Sequence, residues 1–303
     1  MAESSRKTRS SQWSLFRDFC KRHGLLDLPA SLNTVCRFIA HLHDRGLQYT
    51  TIVGYTTAIT TLHHRKDLAG PDMNHFSIKE TLAGVKRTRQ ELPCQRHALL
   101  PHHLLALFRN LPMVDSQYRD TFWTACLLAF HTLVRSANLF ADQAGRMTHL
   151  TIGSITKTPD GFLLDFPALK NERFLKKTIK IPVRQLSSNH PLCVVTALQR
   201  SMSGRTTKDS PLLAYKKNGK ERPLSSATFV RTLRTVLQHA GFDATRFSVH
   251  SFRRGAATFS SQTGISVDAL KAQGNWRSDC YQRYISREDE LRNLFSHSLS
   301  LNL

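Results

Sequence analysis

The chain has 303 residues, 40% of them hydrophobic, and carries 43 Lys/Arg against 22 Asp/Glu, for a formal charge of +21 and a pI near 10.3. That length accommodates two modest domains with a core each, and the ordinary apolar content excludes a disordered chain. A positive surplus of this size attracts polyanions, so the first class to consider is nucleic-acid binding.

Both parts of the chain are basic. Residues 1–90 carry 14 Lys/Arg against 7 Asp/Glu and the remainder 29 against 15, which suits two domains clamped around DNA better than a globule with one basic tail. The six cysteines (Cys20, Cys36, Cys94, Cys126, Cys193, Cys280) include no C-x-x-C pair. That spacing argues against a zinc ribbon or a disulfide scaffold, and reduced thiols inside a cell are the expectation. Met1–Ser11 is polar and basic, unlike a secretory leader. The most apolar run, Phe122–Val134, is too short to span a bilayer and reads as a buried helix, so no membrane partner is expected.

In chain order, the first part reads as four helices. Trp13, Phe16, Phe19 and Cys20 recur at helical spacing, and His23-Gly24 ends that helix. Ser31 caps a second, bearing Val35, Phe38, Ile39 and Leu42 and stopping at Gly46. Tyr49-Thr50-Thr51 opens a third that continues to the Gly70-Pro71 break, and a fourth runs from Phe76 to Arg87. Four helices over this length predict a small bundle spanning residues 1–88. Residues 89–98 read as a charged linker; with Lys86, Arg87, Arg89 and Arg96 it is expected either to follow a DNA backbone or to be a solvated charge run.

The second domain, residues 99–303, starts with helices at Pro101–Leu111 and Tyr118–Val134. Strands follow at 150–152, Gly161–Phe166 and Thr178–Pro182, with Thr158-Pro159-Asp160-Gly161 as the turn between the first two. Helices return at Pro191–Met202 and Ser225–Ala240. The fold class is therefore mainly α with a small antiparallel sheet.

The strongest signal is Phe247–Ile285. His250 and Arg253 lie almost one helical turn apart and project to one face. Ser248 or Ser251 can cap their helix, which Gly264 stops; Ser266 opens another over Val267–Lys271 that ends near Gly274. Trp276 and Tyr284 follow. Imidazole, guanidinium and phenol are the parts needed to break a phosphodiester by nucleophilic attack.

These residues resemble the C-terminal signature of the tyrosine recombinases, the phage-integrase superfamily, with its His-x-x-Arg box, its His or Trp after a glycine turn, and its nucleophilic Tyr. His250-Ser251-Phe252-Arg253, Gly274-Asn275-Trp276 and Tyr284 hold those places. The wording HSFRRGAAT and GNWRSDCYQRYI is similar to recombinases of eukaryotic mobile elements, the crypton and DIRS-like groups. Upstream, Leu133-Val134-Arg135-Ser136-Ala137-Asn138-Leu139 resembles the family's first arginine motif, with Asn138 where Glu is usual. Arg135 follows a long apolar helix, where a guanidinium needs an anion: a structural ion pair or a bound phosphate. Leu169-Lys170-Asn171-Glu172-Arg173 resembles the family's hairpin turn and nominates Lys170, with Lys176, Lys177 and Lys180 as alternatives.

The resemblance implies an α+β catalytic domain behind a helical core-binding domain, in a C-shaped two-domain architecture. It implies that Tyr284 attacks a DNA phosphate to form a 3′-phosphotyrosyl link, while Arg135 and Arg253 stabilise the pentacoordinate transition state. Lys170 would protonate the 5′-oxygen, His250 would exchange the phenolic proton or brace the phosphate, and Trp276 would donate one indole hydrogen bond. A free phenol has a pKa of about 10, so nearby cations must favour phenolate. No metal or other cofactor is implied, because two arginines and a lysine do the electrostatic work.

Tyr281 is the rival nucleophile. The family gap from His/Trp to Tyr is usually about nine residues; Tyr284 lies eight from Trp276 and Tyr281 only five. Arg254 is a further DNA contact candidate. The paired histidines His41/His43, His63/His64 and His102/His103 lack acidic or cysteine companions at ligand spacing and are expected at the surface or facing DNA. Leu291, Leu294, Phe295 and Leu299 recur at near-helical spacing in a last helix, which either packs on its own domain or docks on a neighbour. The resemblance implies the latter: a dimer per site and a homotetramer on double-stranded DNA. It also implies a nuclear location for a eukaryotic element, otherwise the cytoplasm or nucleoid. Two other readings share these features: a type IB topoisomerase, and a domesticated DNA binder that no longer cuts.

Overall fold

The structure, a computed structural model, describes residues 3–88, 96–141, 150–166, 178–187 and 190–285. The chain divides into two compact units, Met1–Cys94 and Gln95–Leu303.

The first unit is four helices, α1 (Glu3–Arg22), α2 (Leu32–Asp44), α3 (Tyr49–Arg65) and α4 (Phe76–Thr88). Their apolar stripes meet in one core of Phe16, Phe19, Phe38, Ile39, Leu42, Ile52, Ile59 and Ile78. Phe38 lies at its centre, with ring centroids 5.0 Å from Phe16 and 5.2 Å from Phe19. Ser31 Oγ accepts from the Thr34 amide at 3.1 Å, the expected cap of α2. Helix α3 ends at Arg65, ahead of Gly70-Pro71, because Asp67 takes a left-handed turn at φ 53°.

Of the paired histidines, His103 is half-buried against Phe242 and Phe247, and His63 is fully inside. His63 is 1% exposed. Its Nδ1 donates to the Ile59 carbonyl at 2.9 Å and its Nε2 accepts from the Ala30 amide at 2.9 Å. Both ring nitrogens are thus satisfied inside the core, where the imidazole fastens the turn before α2 to α3.

The second unit is built on α6 (Ser116–His131), which is buried almost all round, as a central helix must be. It follows α5 (Pro101–Arg109) and packs against α8 (Val194–Met202) and α10 (Val249–Gln262). A three-stranded antiparallel sheet runs β1 (Ile155–Thr158), β2 (Gly161–Phe166), β3 (Ile179–Arg184), with Leu164 opposite Ile181 and Phe166 opposite Ile179. The remaining helices are the single turn α7 (Ser136–Leu139), α9 (Ser226–His239) and α11 (Val267–Gly274). A 3-10 segment, Asp279–Tyr284, closes the described part. Among the described residues no helix is long and apolar enough to cross a membrane.

Two local expectations are corrected and one element is added. Residues 150–152 are not a strand: the Thr151 amide donates to Ser154 Oγ at 3.2 Å, and this local bonding turns Ile152–Ser154 into a 3-10 helix. Helix α6 stops at His131, three residues before Val134, because Leu133 is left-handed at φ 50°. A second hairpin, β4 (Ala214–Lys217) with β5 (Lys220–Pro223), was not foreseen, although its Asn218-Gly219 turn, with φ 52° and 74°, is the preferred two-residue connection.

Residues 97–99 are bound into the second unit. His97 N donates to the Arg246 carbonyl at 3.0 Å and Leu99 N to the Ser251 carbonyl at 2.8 Å. The Leu99 backbone lies so close to α10 that a Cβ on Gly255 would meet the Leu99 carbonyl oxygen at 2.0 Å. Only glycine permits that approach.

Candidate active site

The site grows out of three breaks in helical structure: the end of α6, the start of α10, and the turn after α11. At the first, Thr132 Oγ1 donates to the Leu128 carbonyl at 2.6 Å and closes the helix. Leu133 then enters left-handed space, a conformation costing on the order of 1–2 kcal/mol for a residue with a Cβ. The turn swings Val134 into the core and leaves Arg135 extended (φ −75°, ψ 151°) as the residue preceding α7.

What holds this turn comes from far along the chain. Arg253 Nη1 donates to the Leu133 carbonyl, and Gln273 Nε2 donates to the His131 carbonyl at 2.9 Å. Neither Gln273 nor Leu133 was singled out from the sequence, and only the contact between distant segments reveals them.

Ser248 precedes α10, and Ser251 Oγ accepts from its amide at 3.0 Å, so both serines named as candidate caps take part. The first turn carries His250 and Arg253. Arg253 is 2% exposed. Its Nη2 donates to the Gly274 carbonyl at 2.8 Å, and its guanidinium lies 4.0 Å from the centroid of Trp276 and 5.2 Å from that of Tyr284. Burial lowers its pKa to about 10; Tyr284 opposes that shift and the Arg135 charge adds to it. His250 is exposed at the surface, yet its surroundings lower its pKa, first by desolvation and then through the Arg253 and Arg135 charges. An imidazole so placed is neutral at pH 7 and free to accept a proton.

The phenol is positioned by α10. Thr258 Oγ1 donates to the Tyr284 carbonyl at 3.2 Å, and Arg254 Nη2 donates to the Arg283 carbonyl at 2.9 Å. Arg254 therefore ties down the tyrosine segment as well as adding charge. The Tyr284 ring lies 5.4 Å from Trp276. Tyr281 is 4% exposed and meets the Trp276 ring at 6.4 Å and Lys271 Nζ at 5.8 Å. Of the two phenols, Tyr284 is the one whose ring lies against the Arg253 guanidinium.

Trp276, 5% exposed, is the floor under the Arg253 guanidinium. Its ring folds back over Gly274 so tightly that a Cβ there would meet Cζ3 at 2.0 Å.

The structure thus brings Arg135, His250, Arg253, Trp276 and Tyr284 together. Among the described residues neither arginine pairs with a carboxylate, so no structural ion pair accounts for them there. Lys170 lies outside the described residues, as do Lys176 and Lys177; Lys180 is exposed on β3 opposite Asp165. Lys86 and Arg87 are exposed on the last turn of α4, where Arg87 Nη2 approaches Glu80 at 3.5 Å. Arg96 Nη1 donates to the Thr245 carbonyl at 2.8 Å. Arg89 and residues 287–303 lie outside the described residues. The described residues hold no group of three or more metal-ligating side chains.

Residues 173–290 match the phage integrase family. Over 293 residues the chain is 24% identical to an integrase/recombinase xerD homolog of Selenomonas ruminantium, covering 94% of this chain and 82% of that protein. Its fold is similar to the Tn1549 transposon integrase in complex with transposon right-end DNA (TM-score 0.64, 14% identity, 99% of this chain and 95% of that one). It is similar too to a lambda integrase dimer bound to a core site (TM-score 0.63, 15% identity, 95% and 90%) and to a lambda integrase tetramer bound to a Holliday junction (TM-score 0.60, 15% identity, 92% and 73%). Residues 173–290 thus carry a phage integrase segment, and the chain shares its fold with the two-domain lambda integrase structures.

Proposed function

We propose that this chain cleaves and rejoins DNA strands at specific sites, with Tyr284 as nucleophile. The phenolic oxygen attacks the scissile phosphorus, a 3′-phosphotyrosyl bond forms as the bond to the 5′-oxygen breaks, and the 5′-hydroxyl leaves. Rejoining is the reverse attack by a 5′-hydroxyl, so the energy of the phosphodiester is kept in the covalent link. Arg135 and Arg253 hold the non-bridging oxygens, where fixed donors stabilise the added negative charge. His250 accepts the phenolic proton, and Lys170 supplies the proton to the 5′-oxygen.

The observation that carries this reading is Arg253: a buried guanidinium without a described carboxylate partner, 5.2 Å from the centroid of the Tyr284 ring and in the field of Arg135. The similar lambda integrase structures, a dimer on a core site and a tetramer on a Holliday junction, support assembly as a dimer per site and a tetramer during exchange. The wording of residues 250–285 supports a role in moving a mobile element, for which repeats in the DNA flanking the gene are the direct observation.

The test is covalent trapping on nicked duplexes that lose the strand needed for rejoining. Wild type and Tyr281→Phe are expected to form the protein–DNA adduct, and Tyr284→Phe to form none. Loss in Tyr281→Phe alone would move the nucleophile to Tyr281. Junction products on paired duplexes, as opposed to relaxed plasmid, separate recombination from topoisomerase action; binding without any adduct identifies a domesticated DNA binder.

A further inference from the structure

Between the two residues that contact the Arg253 guanidinium through Gly274 O and the Trp276 ring lies Asn275, with no role assigned so far. It caps the end of α11 in the left-handed region, at φ 49° and ψ 53°, and its amide N donates to the Ala272 carbonyl at 3.2 Å. Its side-chain Nδ2 is buried and has no hydrogen-bond partner. A buried donor left unpaired costs on the order of 1–3 kcal/mol, and such groups are rare enough to call for a cause.

Arg253 Nε is a second buried, unpartnered donor on the same constellation, and Asn138 Nδ2, three residues beyond Arg135, is a third. All three are N–H donors. They sit on the segments that carry Arg135, Arg253 and Trp276, and a phosphate oxygen is an acceptor suited to such donors. Trp276 packs its ring against Gly274 and 4.0 Å from the Arg253 guanidinium.

We propose that the Asn275 carboxamide, and not the Trp276 indole, donates the third hydrogen bond to the scissile phosphate. The assignment rests on the cleavage reading above and deepens it. Nδ2–H donates to a non-bridging oxygen whose charge grows as the phosphorus becomes pentacoordinate, so the bond strengthens in the transition state. Trp276 is then a positioning residue that holds the guanidinium flat.

Asparagine is also a common left-handed cap, so the experiment must separate backbone from side chain. Asn275→Gly keeps the left-handed turn at no steric cost and removes only the carboxamide. The probe is a pool of end-labelled, internally nicked duplexes with randomised cores, scored for duplex binding and for the single-turnover rate of adduct formation. Asn275→Gly is expected to melt no lower than wild type and to bind the pool within about twofold, yet to form adduct about 100-fold more slowly. Asn275→Asp, which loses the donor and adds a negative charge, is expected to be slower still. Trp276→Phe keeps a stacked ring and removes the indole N–H, so its loss should be smaller than that of Asn275→Gly.

Wild-type rates in Asn275→Gly, with Tyr284→Phe inactive, overturn the Asn275 assignment and leave the nucleophile in place. A larger loss in Trp276→Phe than in Asn275→Gly returns the donor role to the indole. If wild type forms no more adduct than Tyr284→Phe, the cleavage reading itself fails and Asn275 falls with it.

Discussion

Gly274→Ala tests whether the turn after α11 sets the geometry of the site. A Cβ at this position would meet Trp276 Cζ3 at 2.0 Å and Cε3 at 2.2 Å. The atoms in the way belong to a ring with Arg253 stacked 4.0 Å above it and Tyr284 5.4 Å away, so the ring must move. Overpacking of this kind costs about 1–3 kcal/mol, and the disturbed guanidinium–indole contact adds about 1 kcal/mol. Alanine in place of a helical glycine returns up to about 1 kcal/mol. The net loss is about 1–3 kcal/mol, or roughly 2–12 °C in the melting of a unit this size. The effect on chemistry is larger: moving reacting groups by about 1 Å costs on the order of 100-fold in rate. Differential scanning calorimetry gives the first quantity and single-turnover adduct formation the second. Gly84→Ala in α4 is the matched control, since nothing lies within 4 Å of a Cβ built there; it should be neutral or stabilise by up to about 1 kcal/mol. The reasoning is refuted if Gly274→Ala behaves like Gly84→Ala and keeps the wild-type cleavage rate.

His103 makes the second unit acid-sensitive. Burial lowers its pKa from 6.5 to about 4, helped by His102 and His97, and its Nδ1 accepts from the Leu100 amide at 3.2 Å against the rings of Phe242 and Phe247. Because the folded pKa lies below the unfolded one, its contribution is complete above pH 6.5 and is lost as pH falls towards 4. The loss is on the order of 2–3 kcal/mol in denaturant unfolding, and His103→Gln should flatten that slope. In the first unit, His63→Ala strands the Ala30 amide and opens a cavity, so a loss of about 2–4 kcal/mol is expected in urea melts; a change under 1 kcal/mol would show that the imidazole does not fasten the turn.

Short-range patterns were legible and long-range ones were not. The repeat of Phe16, Phe19 and Cys20, or of Val35, Phe38, Ile39 and Leu42, reports a helix face because neighbours three and four apart share it. The spacing of His250 and Arg253 reports a shared face in the same way. The early end of α6 is invisible locally: Leu133 is an unremarkable helix former, and its left-handed turn is sustained by a hydrogen bond from Arg253, 120 residues away. His63 was expected at the surface because its pair lacks acidic or cysteine companions at ligand spacing, whereas its partners are Ile59 one turn back and Ala30 from another segment. Asn275 was hidden by its neighbour, since an indole draws the eye where a phosphate donor is sought, while burial of an unpaired amide shows only in three dimensions.

The arrangement explains why the second arginine has to be an arginine. Its two terminal nitrogens span carbonyls from opposite ends of the site, Leu133 and Gly274, while its flat face rests on Trp276. A lysine ammonium is a point donor on a flexible stem; it can reach one carbonyl but cannot bridge two and stack at once. Arg253→Lys therefore leaves a buried carbonyl unmet, costing about 1–3 kcal/mol, and frees the Arg135 turn that the bridge restrains. The charge is conserved, so duplex binding should hold within about twofold, but in the proposed reaction a fixed donor to the phosphate becomes a mobile one, and the cleavage rate should fall by at least about 100-fold. A calorimetric loss with cleavage intact would reduce Arg253 to a strut between two turns. Cleavage lost with melting unchanged would show that the bridge carries little stability and that the guanidinium is kept for the phosphate alone.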